Sequence, residues 1–279
     1  MLSLEQIDRI DCRMELFQRS NNRVVLGMIH LPPLPGTPYY EANNFGEILQ
    51  FAVNSACVLD NCGADGCLVQ TVDRVYPADD SMDPARVSAV SVVVHEISRA
   101  TSEDFSIGVQ IMKNSSIGSL GVAKVAGGSF IRATAMIGTT HDDSGTVSGD
   151  PYQFMSYRKY IDALDIFVFA DIATIHFNSG RPVKDLARNA ARVGVDALVL
   201  GHADEQRNQD MVDAAKSANS DLPIFLSGHT DHDNVSPRLD CVDGVFVGTC
   251  LEQNGWGTAI DESRVVAYMK QINTLPPRK

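Results

Sequence analysis

Eight short apolar runs alternate with segments of helical periodicity along this chain, and that alternation restricts the fold more than any other feature. The runs cover residues 23–31, 65–72, 106–112, 130–136, 165–172, 196–200, 223–226 and 244–247. Between them, stretches at 45–62, 84–100, 116–126, 151–164, 183–193 and 209–218 carry apolar residues at helical spacing. A shorter helix opens at Asp231 and Asp233, and a last one covers 261–272. A helix between two strands lets the second run parallel to the first. Runs this apolar suit strands buried on both faces. Closing eight of them predicts an α/β (β/α)8 TIM barrel, which leaves no unpaired edge. An open doubly wound sheet is the competing arrangement, but the G-x-G-x-x-G turn expected after its first strand is absent.

Ahead of the first strand, Leu4, Ile7, Ile10, Met14 and Phe17 share one helical face, with Ser3 as N-cap. Residues 1–22 therefore predict an extra N-terminal helix, from 4 to about 19, covering the barrel bottom. Residues 273–279 read as a loose tail. No linker or shift of composition marks a second domain, so 1–279 is read as one barrel. An apolar content of 44% over 279 residues fills such a core.

The formal charge of −12, from 23 basic and 35 acidic residues, opposes a nucleic-acid backbone or an anionic membrane as partner. It leaves room for a local anion site built from backbone amides. Six cysteines, at 12, 57, 62, 67, 241 and 250, show no C-x-x-C and suit free thiols in a reducing compartment. No run approaches the ~18 residues of a membrane span, and the acidic N-terminal helix is unlike a secretory or transit signal. These features predict a cytoplasmic protein without membrane insertion.

Barrel chemistry collects at the C-terminal ends of the strands. There the sequence places His30; Gln70 with Asp73; Gln110 with Lys113 and Asn114; Arg132 with Thr134; Asp171 with His176; His202; Ser227 with His229; and Thr249 with Glu252. Core strands have no structural need for such endings, so their recurrence points to a ligand site. Asp171 follows Phe-Val-Phe-Ala, where desolvation would raise its pKa toward a useful value. The competing role for Asp171 is a fixed ion pair with Arg132 on the neighbouring strand. His176 and His202, beyond consecutive strands, are placed to face each other across a metal or a shuttled proton. Lys113 suits a cation holding a carboxylate or phosphate, with Schiff-base chemistry as the alternative.

Residues 223–251 form a βαβ unit whose strands end in Ser227-Gly228-His229 and Gly248-Thr249. Glycine lets a ligand approach backbone amides, and late βα turns of such barrels commonly hold a phosphate. In the run His229 to Asp233, Asp231 and Asp233 suit the N-cap and first turn of the next helix, leaving His229 for the mouth. The loop acids Asp79, Asp80, Asp83, Asp142 and Asp143 read as solvated caps, with a divalent ion beside a phosphate as the alternative. No protein metal ligands are assigned, and no organic cofactor is expected.

Several stretches together resemble the BtpA family, proteins linked to photosystem I biogenesis. They are LGMIHLPPLPGTPYY at 26–40, GADG at 63–66, SIGVQIMKN at 106–114, and FIRATAMIG with SGTVSGD within 130–150. FVFADI with His176, VDALVLGH at 195–202, FLSGHTDHDN and DGVFVGTCLEQNG at 243–255 extend the likeness. The resemblance implies a phosphate-binding (β/α)8 barrel, with bacterial relatives associated with sugar or nucleoside metabolism. It carries over His30, Asn114, Arg132, Asp171, His176, Ser227 and Gly228. The chain departs from the family pattern at Gln70, Thr71 and Asp73 after the second strand, and at Lys113 and Ser115 after the third. It departs again at Ile175 and Glu252, both in place of lysine. It is identified as a divergent member.

The expected function is that of an enzyme acting on a phosphorylated sugar, nucleotide or related metabolite. Asp171 with His30 or His176 would move protons in isomerase, lyase or glycosyl-bond chemistry, and Arg132 and Lys113 would stabilise negative charge. Asn114, His202, Ser227, Gly228, His229, Gly248 and Thr249 would bind substrate or its phosphate. The alternative, implied by the photosystem link, is a non-catalytic assembly or stability factor. Barrel analogy predicts a homo-oligomer, most simply a dimer.

Overall fold

A computed structural model describes residues 16, 17, 19, 23–73, 75–77, 82–142, 145–218 and 221–276. The chain enters the barrel at β1 (Val24–Leu31) and continues through α1 (Phe45–Asn61), β2 (Gly66–Thr71), α2 (Pro84–Ala100), β3 (Ser106–Gln110), α3 (Ser116–Ala126) and β4 (Phe130–Ala133). A hairpin of β5 (Thr139–Asp142) and β6 (Gly145–Ser148) precedes α4 (Pro151–Tyr160) and β7 (Phe167–Ala173). Then come α5 (Val183–Val193), β8 (Ala197–Leu200), α6 (Glu205–Lys216), β9 (Ile224–Ser227), α7 (Val235–Leu239), β10 (Gly244–Val247) and α8 (Glu262–Ile272). The strands other than the hairpin close a parallel barrel in the order β1-β10-β9-β8-β7-β4-β3-β2.

All eight apolar runs thus become barrel strands. The third and fourth stop earlier than their hydrophobicity implies, at Gln110 and Ala133. The polar segment 137–150, read as a loop, holds the antiparallel β5–β6 hairpin. Its exposed residues carry little of the apolar alternation that betrays a half-buried strand. The helix expected from 209 begins at Glu205, because Asp204 caps it by accepting from the Arg207 amide at 2.9 Å. Asp83, Asp150 and Asp261 cap α2, α4 and α8 in the same way. Asp79, Asp80 and Asp143 lie outside the described residues.

Along each strand, alternate side chains point into the barrel. Inward positions Val24, Leu26, Met28, Leu68, Phe130, Phe167, Phe169, Ala197, Val199, Phe225 and Phe246 form a closed cluster of their own. Phe169 is its hub, with ring centroids 4.8–5.3 Å from those of Phe130, Phe167, Phe225 and Phe246. Phe17 seals the bottom, 5.8–6.2 Å from four of these rings. The N-terminal helix expected at 4–19 otherwise falls outside the described residues. So many rings fit because glycines face them: a Cβ on Gly108 would overlap Phe130, and one on Gly244 would overlap Phe225.

The bottom of the barrel also carries a repeated polar device. The residue just before every second barrel strand accepts a hydrogen bond from an amide near the start of the preceding strand. Asp65 takes the Val25 amide at 2.7 Å, Ser129 that of Ile107 at 3.1 Å, Asp196 that of Val168 at 2.9 Å and Asp243 that of Ile224 at 2.6 Å. Paired strands are thereby fixed in register at their N-terminal ends, which leaves the opposite ends free for function. Burial raises the Asp65 carboxyl to about 7, against the Val25 hydrogen bond that favours its charge.

Gly108→Val is expected to force Phe130 off the Phe169 hub and to cost about 1–3 kcal/mol. A lower urea midpoint with unchanged slope is the expected result, and an unchanged midpoint would show that the rings have slack.

Candidate active site at the C-terminal end of the barrel

Two residues above each aromatic level, the same inward parity delivers polar side chains. His30 follows Met28, Gln70 follows Leu68, Arg132 follows Phe130, Asp171 follows Phe169 and Ser227 follows Phe225. His30, Gln70 and Gln110 stand level across β1, β2 and β3. These side chains therefore share one ring, with the phenylalanine layer as its floor.

At the centre, Arg132 and Asp171 form a bidentate pair. Nε donates to Oδ1 at 2.8 Å and Nη2 to Oδ2 at 3.0 Å, and both side chains are buried. Thr174 donates to Asp171 Oδ2 at 2.9 Å, and the guanidinium lies 5.1 Å from the Phe246 ring centre. Asp171 is thus the fixed partner of Arg132, with both oxygens engaged. The Thr174 hydroxyl oxygen also accepts from the amides of His176 and Phe177, each at 3.2 Å. That turn holds His176 over the pair. Burial first, then Arg132, lowers the His176 pKa to about 4, with Lys113 and His30 adding to the effect and Asp171 opposing it. Its imidazole is neutral at pH 7.

A second pair joins β1 to the segment after β10. His30 Nδ1 lies 2.8 Å from Glu252 Oε1, and both residues are buried. The Glu252 carboxylate is therefore a partner that fixes the imidazole. Gly248 belongs to this arrangement: a Cβ there would lie 2.9 Å from His30 Cε1. The Trp256 ring covers the imidazole at 5.6 Å between centroids. A cavity of about 590 Å³ opens beside it, lined by His30, Pro32, Tyr39, Asn44, Asp73 and Trp256 among others.

On the β2–β3 side, Gln70 donates to Gln110 at 2.6 Å and Gln110 to Thr134 at 3.1 Å. Arg86 reaches in from α2 to Thr71 at 2.8 Å and Asp73 at 2.7 Å. Sequence reasoning missed Arg86, although it had a signal. Arg86 occupies the buried face of α2 shared by Ala89, Val90, Val93 and Ile97, where a cation needs a partner. Lys113 pairs with Asp142 of the β5–β6 hairpin. Asn114 is spent structurally: its Oδ1 accepts from the Ala135 amide at 2.9 Å and its Nδ2 donates to the Ala135 carbonyl at 3.3 Å.

His176 and His202 are not brought together. His202 Nδ1 accepts from the Asp204 amide at 2.9 Å, turning the ring toward the start of α6. Its electrostatic neighbour is His229, whose pKa is lowered by burial, then by Arg238 and His202. Gly228 has φ +73° with open space where a Cβ would stand, so glycine is needed there for backbone conformation. Ser227 is buried, while His229 and Thr249 are exposed at the rim. Asp231 Oδ1 accepts from the amides of Asp233 and Asn234 in the turn ahead of α7, and the N-cap position falls on Asn234 instead of the expected Asp231. His232 instead contacts the Arg264 carbonyl at 2.9 Å. Among the described residues, no three His, Cys, Asp or Glu side chains are grouped to hold a metal ion, and no helix is long and apolar enough to cross a membrane.

Solved barrels share this architecture at low sequence identity. Tryptophan synthase from M. tuberculosis superposes with a TM-score of 0.60 at 15% identity, covering 95% of this chain and 97% of that one. The (S)-3-O-geranylgeranylglyceryl phosphate synthase from Thermoplasma acidophilum, in complex with sn-glycerol-1-phosphate, gives 0.57 at 13% identity over 98% and 99%. In sequence, the Photosystem I biogenesis protein BtpA of Synechocystis sp. is 27% identical over 272 residues, 93% of this chain and 91% of that one. The family model of BtpA matches residues 21–274. That match over most of its length places the chain in the BtpA family.

Proposed function

We propose that this protein is an enzyme that binds a phosphorylated small metabolite and moves a proton through His30. The observation that carries the reading is the buried His30–Glu252 pair beside a cavity large enough for a small substrate. A carboxylate on Nδ1 fixes the tautomer and orientation of an imidazole and leaves Nε2 to exchange a proton with a ligand. Asp171 takes a positioning role, holding Arg132 so that its guanidinium stabilises charge developing on the substrate. His176, being neutral, can donate or accept a hydrogen bond beside it. Isomerisation, lyase and glycosyl-bond reactions can each use a proton carrier beside a fixed cation.

The phosphate is assigned to the ends of β9 and β10, around Gly228, His229 and Thr249, where barrels of this type commonly hold one. The similarity of fold to a synthase in complex with sn-glycerol-1-phosphate supports a phosphorylated ligand. A divalent ion beside the phosphate, a cytoplasmic location and a dimer checked by light scattering belong to the same proposal. The Synechocystis relative's name supports a second reading, a binding or assembly factor without turnover.

A thermal-shift screen with sugar phosphates, nucleotides and free phosphate, with Mg²⁺ or with EDTA, tests the first reading. A true ligand at ~100 times its Kd adds ~2.7 kcal/mol of stability. With a substrate in hand, His30→Ala is expected to lower kcat by about 10²–10⁴-fold, and Glu252→Gln to lower kcat with KM little changed. Full activity in both variants would reject His30 as the proton carrier, and silence across the screen favours the binding-factor reading.

Acid stability gives an independent check on His176. Its folded pKa of about 4 lies below the 6.5 of a free imidazole, so the unfolded chain takes up the proton first as pH falls. Stability from this group is complete above pH 6.5 and declines toward pH 4. Asp65 acts oppositely in much of that window, because its folded pKa of about 7 is raised and protonation favours the folded state. His176→Gln is therefore expected to gain stability relative to the parent between pH 6.5 and 4, read from denaturation midpoints. Parallel pH curves for the two proteins would contradict a lowered His176 pKa.

A further inference from the structure

Trp256 stands at the tip of a loop that is built to hold it. After β10 the chain runs out through Glu252 and returns at Ile260, and these two residues form an antiparallel bridge. Between them the Gln253 amide donates to the Ala259 carbonyl at 2.9 Å. The Thr258 hydroxyl donates to the Gly255 carbonyl at 2.7 Å and accepts from the Asn254 amide at 3.1 Å. Gly255 and Gly257, on either side of the tryptophan, have φ of +92° and +81°, a left-handed conformation that other residues rarely take. The loop is thus tied by its own hydrogen bonds, yet Trp256 is left 60% exposed. An indole in water forgoes much of the stabilisation that burial would bring. This one is held over His30, with ring centroids 5.6 Å apart.

The cavity of about 590 Å³ beside His30 gives that exposure a use. Tyr39, 45% exposed, lines it together with Trp256, and Leu31, Pro32, Pro33 and Val72 add aliphatic wall. Of the polar side chains on the lining, Asp73 and His30 are already engaged by Arg86 and Glu252. A hydroxyl-rich ring needs a polar partner at nearly every substituent. An aromatic ring instead offers two apolar faces and confines its hydrogen bonding to the edge, and stacking on tryptophan or tyrosine tolerates many different rings. The lining fits the aromatic ring better. The cavity also adjoins the strand ends assigned to the phosphate. β1 pairs with β10, and Gly248, just past β10, packs so closely on His30 that a Cβ would lie 2.9 Å from its Cε1.

We infer that this cavity binds a planar aromatic ring, stacked on Trp256 with Tyr39 and the two prolines around it. The inference deepens the proposed function and rests on it only for the phosphate. With both, the substrate class is a nucleoside monophosphate, or a similar phosphate ester carrying an aromatic ring, in preference to a simple sugar phosphate. Because β10 adjoins β1, one such molecule can reach both places.

Trp256 is the single tryptophan of the chain, so intrinsic fluorescence reports on this cavity directly. The full-length protein is titrated with AMP, GMP, CMP, UMP and nicotinamide mononucleotide, with the matching nucleosides, and with ribose 5-phosphate. Emission and calorimetric affinity are both read. At least one mononucleotide is expected to quench Trp256 saturably and to bind at least about tenfold more tightly than ribose 5-phosphate. Trp256→Phe is expected to keep that preference and Trp256→Ala to reduce it by about tenfold. Tyr39→Ala, a second variant at an exposed position, is expected to lower it in the same direction. No emission change with any mononucleotide at millimolar concentration, binding no tighter than that of ribose 5-phosphate, or an unchanged preference in Trp256→Ala would each overturn the inference. Ribose 5-phosphate turned over through His30, with no gain from an attached base, would overturn it while leaving the proposed function standing. Nucleosides that quench Trp256 and bind as tightly as their monophosphates would keep the ring site and remove the phosphate from the proposed function.

Discussion

The bidentate Arg132–Asp171 pair is the interaction on which the upper half of the barrel depends. Two opposite charges buried this deeply survive only if each satisfies the other's hydrogen-bonding groups. Geometry provides that here: two parallel N–H to oxygen bonds, a third donor from Thr174 and the Phe246 ring near the guanidinium. From Asp171 the order passes through Thr174 to the turn carrying His176. The pair, its threonine and the imidazole thus form one network, and disturbing any member shifts the others.

That network can be rigid because its floor is rigid. Phe169 touches four other rings, and Phe17 closes them from below. The glycines opposite Phe130 and Phe225 let the rings interlock without strain. A polar ring on an aromatic floor is dry beneath and open above. Electrostatic interactions are strengthened under those conditions while a ligand can still enter.

Much of this was legible in the sequence. Eight apolar runs gave eight barrel strands, because a strand buried on both faces must be apolar throughout. His30, Arg132 and Asp171 were legible because inward parity above a hydrophobic residue leaves a polar side chain nowhere else to point. The partners were harder. Glu252 looked like the loss of a family lysine, and only the closed barrel shows that the segment after β10 returns beside β1, where a carboxylate meets His30. Arg86 was hidden inside a helix treated as scaffold. The β5–β6 hairpin carries too little hydrophobic alternation to announce itself. His202 Nδ1 takes a neighbouring amide instead of His176, a local contact to which sequence spacing is blind.

The mouth has two electrostatic halves, and this division bears on what it can bind. Around Arg132 and Lys113 the cations are nearly matched by Asp171 and Asp142, so their field is short-ranged and acts on an oxygen placed between them. Toward β1 and β2, the carboxylates of Asp73 and Glu252 are held by Arg86 and by the His30 imidazole. A ligand reacting at His30 would meet both. Proton transfer there would be aided from both sides, by a cation stabilising the electron-rich atom and by a carboxylate stabilising the imidazolium that forms.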